Sequence, residues 1–112
     1  MGPETRLATY GTLAPGQVNA HVLAPLNGQW STGVVRGELV EEGWGAAHGC
    51  PGIVLTGNGQ VDVHLFTSTD LPQYWDRLDT FEGPGYRRVP VSVETADGTV
   101  EAFIYEVLAA SP

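Results

Sequence analysis

The sequence predicts an α+β fold in which about six short strands, accompanied by two helices, curl toward a small barrel. Fifteen glycines and eight prolines in 112 residues indicate many tight turns, which short strands need and a helical bundle does not. Most apolar runs are short or alternate with polar residues, whereas two stretches repeat at the three- and four-residue steps of a helix. The length suits a single domain over residues 1–112 with one modest core.

Composition limits the partners that this protein can have. Thirteen acidic against five basic residues give a formal charge of −8 without a basic stripe, which argues against nucleic acid and anionic membrane surfaces as partners. No apolar run reaches membrane-spanning length, and no secretory signal is visible. The single Cys50 cannot form an internal disulfide, which fits the cytoplasm. We expect a cytoplasmic protein, and the sequence leaves its oligomeric state open, a homodimer included.

The first half of the chain predicts strands, one short helix and a long loop. Residues 7–10 form an apolar run that a glycine breaks, as at the end of a strand. Helical spacing over residues 18–24, followed by proline, predicts a short helix. Residues 29–40 predict one long strand bent at its glycines, or two short ones. Residues 41–52 have no period and form a loop around Trp44, which either walls a pocket or caps the core.

The second half predicts two hairpins. Residues 53–55 and 61–66 flank a glycine-asparagine turn, which is a strong hairpin signal. Residues 88–94 and 100–107 flank Ala96-Asp97-Gly98 in the same way. The last strand is apolar on both faces, so we expect both faces to be covered.

A helix between the hairpins places a carboxylate at its end. Residues with helical spacing predict one buried face: Leu71, Trp75, Leu78 and Phe81. The following Gly-Pro-Gly stops the helix directly after Glu82. Apolar neighbours and the negative end of the helix dipole both disfavour an ionised Glu82, which suits a general base or acid near neutral pH. Asp79 either adds to this by like-charge repulsion or is a solvated neighbour, and Glu82 itself can be a solvated helix end.

The turn after the first strand supplies a second feature. Its backbone N–H groups are unpaired by the sheet, and a row of such groups can hold a carboxylate or an oxyanion, although a tight connector has the same sequence. Soft-metal ligands do not match a compact zinc pattern, and no serine lies in a nucleophile elbow. One acid–base carboxylate facing an anion hole is enough for an intramolecular acyl transfer.

Two motifs in this order resemble the gamma-glutamylcyclotransferase-like family, especially its short gamma-glutamylamine cyclotransferase branch. The first is Tyr10-Gly11-Thr12-Leu13, and the second is Leu78-Asp79-Thr80-Phe81-Glu82-Gly83 with Tyr86-Arg87-Arg88. The resemblance runs from about residue 7 to 107 and implies a small mixed β-barrel whose cavity lies between the two motifs. The sequence differs from the family pattern at Ala14-Pro15, where many relatives carry a basic residue, and at Val63, where many carry glycine.

The resemblance also implies the site residues. Glu82 is the implied catalytic acid–base residue, the backbone of Gly11, Thr12 and Leu13 holds the glutamyl group, and Tyr86 lines the pocket. Tyr10 and Tyr105 either line the site or pack, and Arg88 is expected to pair with Asp79. The implied substrate is a small γ-glutamyl compound, which an acyl-transfer or lyase reaction converts into 5-oxoproline and a free amine, without metal or cofactor.

Two other classes of protein are consistent with the same residues. One is a non-catalytic module that binds a small acidic ligand on this fold. The other is a structural or partner-binding domain in which the three tryptophans serve a core or an interface. Glu82 beside an anion-binding loop favours the enzyme, because a binder of anions has no need for a carboxylate there.

Overall fold

A closed mixed β-barrel forms the centre of the computed structural model, which describes residues 2–10, 20–40, 52–55, 59–83 and 86–107. In these residues there are seven strands, with bounds β1 Arg6–Thr9, β2 Gln29–Arg36, β3 Glu38–Val40, β4 Gly52–Val54, β5 Gln60–Thr67, β6 Tyr86–Thr95 and β7 Gly98–Val107. The barrel order is β1-β5-β2-β6-β7, and β1 closes it against β7 in parallel while the other pairs are antiparallel. The predicted α+β barrel is confirmed.

Two apolar clusters lie on opposite sides of the barrel wall. Alternation along the strands sends one set of side chains inward, where they fill the interior: Ala8, Val35, Ile53, Val61, Val63, Leu65, Val93, Ala102 and Ile104. The other set packs under the helical segment outside: Leu7, Leu23, Phe66, Leu71, Trp75, Leu78 and Tyr105. β7 contributes to both clusters, as its two apolar faces predicted.

The region predicted as one bent strand or two short ones contains two strands, which belong to different sheets. The chain leaves the barrel at Gly37, where an added Cβ would lie 2.7 Å from the carbonyl oxygen of Val54. β3 then pairs with β4 in a separate two-stranded sheet, with Leu39 opposite Ile53. Only glycine allows this close approach of two backbones.

The first predicted hairpin is wrong in its pairing. β4 pairs with β3, whereas β5 pairs with β1 on one side and with β2 on the other. An eight-residue partner such as β2 offers β5 many more ladder hydrogen bonds than the three-residue β4 can. The second hairpin is confirmed, since β6 and β7 pair over ten residues around the turn at Ala96 and Asp97.

The two predicted helices differ from expectation in extent. Of the first predicted helix, the structure describes a 3-10 helix at Ala20–Val22, which a turn follows. Residues 18 and 19 lie outside the described residues. The second begins as a 3-10 helix at Leu71–Gln73 and continues as α1 at Trp75–Glu82. The indole Nε1–H of Trp75 donates to the Glu4 carbonyl oxygen at 2.9 Å, which ties α1 to the N-terminal segment.

Candidate active site

Helix geometry turns Glu82 toward the barrel. At 100° per residue, Glu82 lies roughly 20° from Trp75 around the axis of α1, whereas Phe81 lies about 120° away. Trp75 and Leu78 are buried, but Phe81 is 43% exposed, so the prediction that Phe81 shares the buried face is wrong. The Glu82 carboxylate, and not the ring of Phe81, completes the inward face of the last turn.

The helix ends directly after Glu82, as predicted. Gly83 has φ +82°, a left-handed value that side chains rarely tolerate, and its N–H donates to the Asp79 carbonyl oxygen at 3.1 Å. The chain then resumes as β6 at Tyr86. This glycine cap therefore fixes where the carboxylate leaves the helix.

Burial changes the protonation of Glu82. It raises the pKa of the Glu82 carboxyl from the ordinary 4.5 to about 7, because the ionised form loses hydration among apolar groups. Asp79 contributes no cause of this shift, so the alternative in which it repels Glu82 is not supported. A carboxyl that titrates near neutral pH can both accept and return a proton.

The raised pKa predicts a pH-dependent stability. Between pH 4.5 and 7 the folded protein retains a proton on Glu82 that the unfolded chain has lost, so this group's contribution to stability falls as the pH rises through that window. Replacing Glu82 with glutamine should therefore increase the free energy of unfolding more at pH 8 than at pH 4, by about 1–2 kcal/mol after allowance for partial exposure. Urea unfolding at both pH values measures the difference, and an equal effect at both would contradict the assignment.

The charge of Glu82 influences two tyrosines. Burial raises the pKa of the Tyr10 and Tyr105 phenols above the ordinary value, and the charge of Glu82 adds to the increase at both. The Tyr10 hydroxyl donates to the Tyr105 carbonyl oxygen at 2.6 Å and accepts from the Ile53 N–H at 3.1 Å. Tyr10 thus links the end of β1 to β7 and β4, and both phenols stay protonated at neutral pH.

Asp79 is held by an ion pair one turn before Glu82. Arg88 donates to its two carboxylate oxygens at 2.9 and 3.2 Å, and the Tyr105 hydroxyl donates to Oδ1 at 2.6 Å. Burial raises the pKa of the Asp79 carboxyl, but these hydrogen bonds and the Arg88 charge outweigh it and hold the pKa below its usual value. The predicted pair is confirmed, and Arg88 also stacks over Trp75 and Phe103, at 4.7 and 4.6 Å from the ring centroids.

The start of β6 places a third tyrosine near Tyr10. Tyr86 is half-buried and its phenol, like the Glu106 carboxylate, lies near enough to raise the pKa of Tyr10. Glu106 accepts from Arg87 at 2.6 Å across the β6–β7 hairpin. Sequence reasoning missed Glu106, although the two-residue turn at Ala96 and Asp97 sets the register that places it opposite Arg87.

Of the site residues that the resemblance implies, Tyr10, Glu82 and Tyr86 lie in the described part of the chain, and both Glu82 and Tyr86 raise the pKa of Tyr10. The predicted anion-binding loop, Gly11, Thr12 and Leu13, lies outside the described residues. So do Ala14-Pro15, where the sequence differs from the family pattern, and Trp44, His48 and Cys50. Val63 is buried in the barrel interior. Within the described ranges no three potential metal-ligating side chains lie together, and no helix there is long and apolar enough to cross a membrane.

A separate groove lies far from Glu82. Its volume is about 590 Å³, and β2, β5 and the end of β6 line it with residues that include Thr32, His64 and Glu94. Nine residue steps along β6 separate Tyr86 from Thr95, roughly 30 Å of extended strand. This groove is therefore not the cavity that the two motifs imply.

Comparison with known proteins identifies the family. A family model described as "Gamma-glutamyl cyclotransferase, AIG2-like" matches residues 7–111, and the chain belongs to this family. Membership indicates an enzyme of the gamma-glutamyl cyclotransferase type. No match was found among curated protein sequences.

Solved structures share the fold. YkqA from Bacillus subtilis is 28% identical with a TM-score of 0.72, and the match covers 92% of this chain but 35% of YkqA. An AIG2-like protein from Mus musculus is 23% identical with a TM-score of 0.74, over 96% of this chain and 80% of the mouse protein. PH0828 from Pyrococcus horikoshii is 24% identical with a TM-score of 0.64 and the same coverages. This chain thus spans about a third of YkqA and four-fifths of the other two.

Proposed function

We propose that this protein is a gamma-glutamyl cyclotransferase that releases 5-oxoproline and a free amine or amino acid from a γ-glutamyl compound. The observation that carries the proposal is Glu82, a half-buried carboxyl with a pKa of about 7 at the end of α1, whose charge also raises the pKa of Tyr10 and Tyr105. The family of the chain supports the same reaction class.

The reaction begins with proton removal. The substrate's α-ammonium group loses a proton to the Glu82 carboxylate and becomes a nucleophile. Its nitrogen attacks the γ-carbonyl carbon and forms the C–N bond of a five-membered ring. Because nucleophile and electrophile belong to one molecule, correct folding of the substrate supplies the proximity that a two-substrate site would have to create.

Collapse of the tetrahedral intermediate completes the reaction. The γ-amide C–N bond breaks, the protonated Glu82 returns its proton to the departing amine, and the ring nitrogen loses its second proton to water, which leaves the neutral lactam. The carboxyl ends as it began, so neither a metal nor a redox cofactor is required by this scheme. A group with a pKa near 7 suits both steps, since it is neither too weak a base nor too weak an acid at neutral pH.

The remaining roles follow from position. We propose that the backbone N–H groups of Gly11, Thr12 and Leu13 bind the glutamyl carboxylate or the developing oxyanion, as the Tyr-Gly-Thr-Leu motif implies. Tyr10 is the first residue of this motif, and its hydroxyl bonds to β7 and β4. Tyr86, which with Glu82 influences the ionisation of Tyr10, is proposed to line the substrate pocket.

The proposal is tested by 5-oxoproline release. The unmodified protein is incubated at pH 7–8 with a panel of γ-glutamyl amines and γ-glutamyl dipeptides, and 5-oxoproline is quantified by mass spectrometry. We expect release from at least one member, with stoichiometric appearance of the free amine. Binding of panel members without release by the folded protein would instead identify a non-catalytic binding module, and the preferred member would define the leaving group.

A further inference from the structure

We infer that Tyr105 is a positioning residue that sets the distance between Glu82 and Tyr10, the residue that directly follows β1. This role rests on the proposed function. Tyr105 uses two different groups for it: its carbonyl oxygen accepts from the Tyr10 hydroxyl at 2.6 Å, and its own hydroxyl donates to Asp79 at 2.6 Å. A single residue of β7 therefore contacts both Tyr10 and the last turn of α1.

The link toward Glu82 passes through the last turn of α1. Asp79 accepts from Tyr105 with its side chain and from the Gly83 N–H with its backbone carbonyl oxygen at 3.1 Å. Glu82 lies in the turn that this hydrogen bond closes, directly before Gly83. Arg88 fixes the second oxygen of Asp79 from β6, so the turn cannot rotate about the Tyr105 contact alone.

The link toward the loop passes through Tyr10. Its hydroxyl is held by the Tyr105 carbonyl oxygen and by the Ile53 N–H of β4, and Tyr10 is the residue directly before Gly11. Tyr10 is thus fixed to the same residue as the end of α1. A displacement of Tyr10 or of the last turn of α1 changes the distance between Tyr10 and Glu82.

Both phenolic protons are engaged within this network. Tyr10 donates to a carbonyl and Tyr105 to a carboxylate, although the charge of Glu82 reaches both rings. The arrangement leaves the Glu82 carboxylate free to take its proton from the substrate. Tyr105 consequently acts through Asp79 and Tyr10 and is not itself a catalytic residue.

Tyr105→Phe tests the role, because it removes the hydroxyl and keeps both the buried ring and the backbone carbonyl. We expect kcat to fall by about 10- to 100-fold with KM changed less than threefold, since a small misplacement of a reacting group has effects of this size. Asp79→Asn in the same background should cost less than it does alone, because both changes act on one contact. Tyr74→Phe, a half-buried phenol packed on the outer cluster, is the matched control and should retain full activity.

Amide hydrogen exchange at Gly83 supplies a readout that does not depend on turnover. Its N–H bonds to the Asp79 carbonyl oxygen, so we expect loss of protection in Tyr105→Phe and none in Tyr74→Phe. An active parent with an equally active Tyr105→Phe variant, or unchanged exchange at Gly83, would overturn the positioning role alone. A folded parent that releases no 5-oxoproline would overturn the proposed function, and the positioning role of Tyr105 with it.

Discussion

Glu82→Gln should abolish turnover while leaving the barrel intact. Glutamine preserves the size of the side chain and its polar contacts but cannot accept the substrate's proton at any accessible pH. We expect kcat for 5-oxoproline release to fall by roughly 100-fold or more, the typical loss when a general acid–base group is removed. Steady-state kinetics at pH 7–8 measure the loss, and KM should change less than kcat because the proposed anchor of the glutamyl carboxylate is the backbone of Gly11, Thr12 and Leu13 and not Glu82.

The matched control is Glu94→Gln. Glu94 is an exposed glutamate near the far end of β6, where it faces Arg36 at 3.7 Å. Exposed pairs at this distance contribute little, so this variant should keep the parent's kcat and stability. If Glu82→Gln is as active as Glu94→Gln, Glu82 has no part in the mechanism, whatever the parent's substrate.

Leu78→Ala should strongly lower the free energy of unfolding. Leu78 is fully buried between α1 and the outer face of the barrel, in the cluster that contains Trp75 and Tyr105. Truncation removes the transfer free energy of its methyl groups and leaves a cavity, a combined cost of about 2–5 kcal/mol. Urea unfolding monitored by tryptophan fluorescence measures the change in the free energy of unfolding.

Leu39→Ala provides the comparison for this variant. Leu39 is a leucine of β3 that is 49% exposed, so the same truncation removes far less buried surface. We expect it to cost less than about 1 kcal/mol. Equal losses in the two variants would show that the helix does not depend on the outer cluster for its attachment.

Local signals in the sequence were sufficient to predict where α1 ends. Helical spacing, a glycine stop and the position of Glu82 are properties of consecutive residues, and the structure places the left-handed Gly83 where they predict it. The β6–β7 hairpin is equally local, because a two-residue turn sets its register. Short strands already predicted a small barrel, and the family resemblance added that it is mixed, which the structure confirms.

The pairing of the strands could not be predicted from local signals. The glycine-asparagine turn indicated a hairpin between β4 and β5, but turn chemistry describes only how the chain can reverse, not which edges pair. Both edges of β5 are taken by β1 and β2 when the barrel closes, and β4 pairs with β3 instead. The inward face of α1 shows the same limit, since the spacing alone could not show that Glu82 replaces Phe81 there.

The sequence by itself thus determined the family, the barrel class and the carboxylate at a helix end, because each depends on short-range pattern or motif. Tertiary structure decided how that carboxylate is tuned and held. Its raised pKa comes from burial, and its place comes from Tyr105, a residue 23 positions later whose hydroxyl and carbonyl meet Asp79 and Tyr10 across the barrel wall. Desolvation and long-range hydrogen bonds exist only after the strands have closed, which is why no sequence pattern displays them.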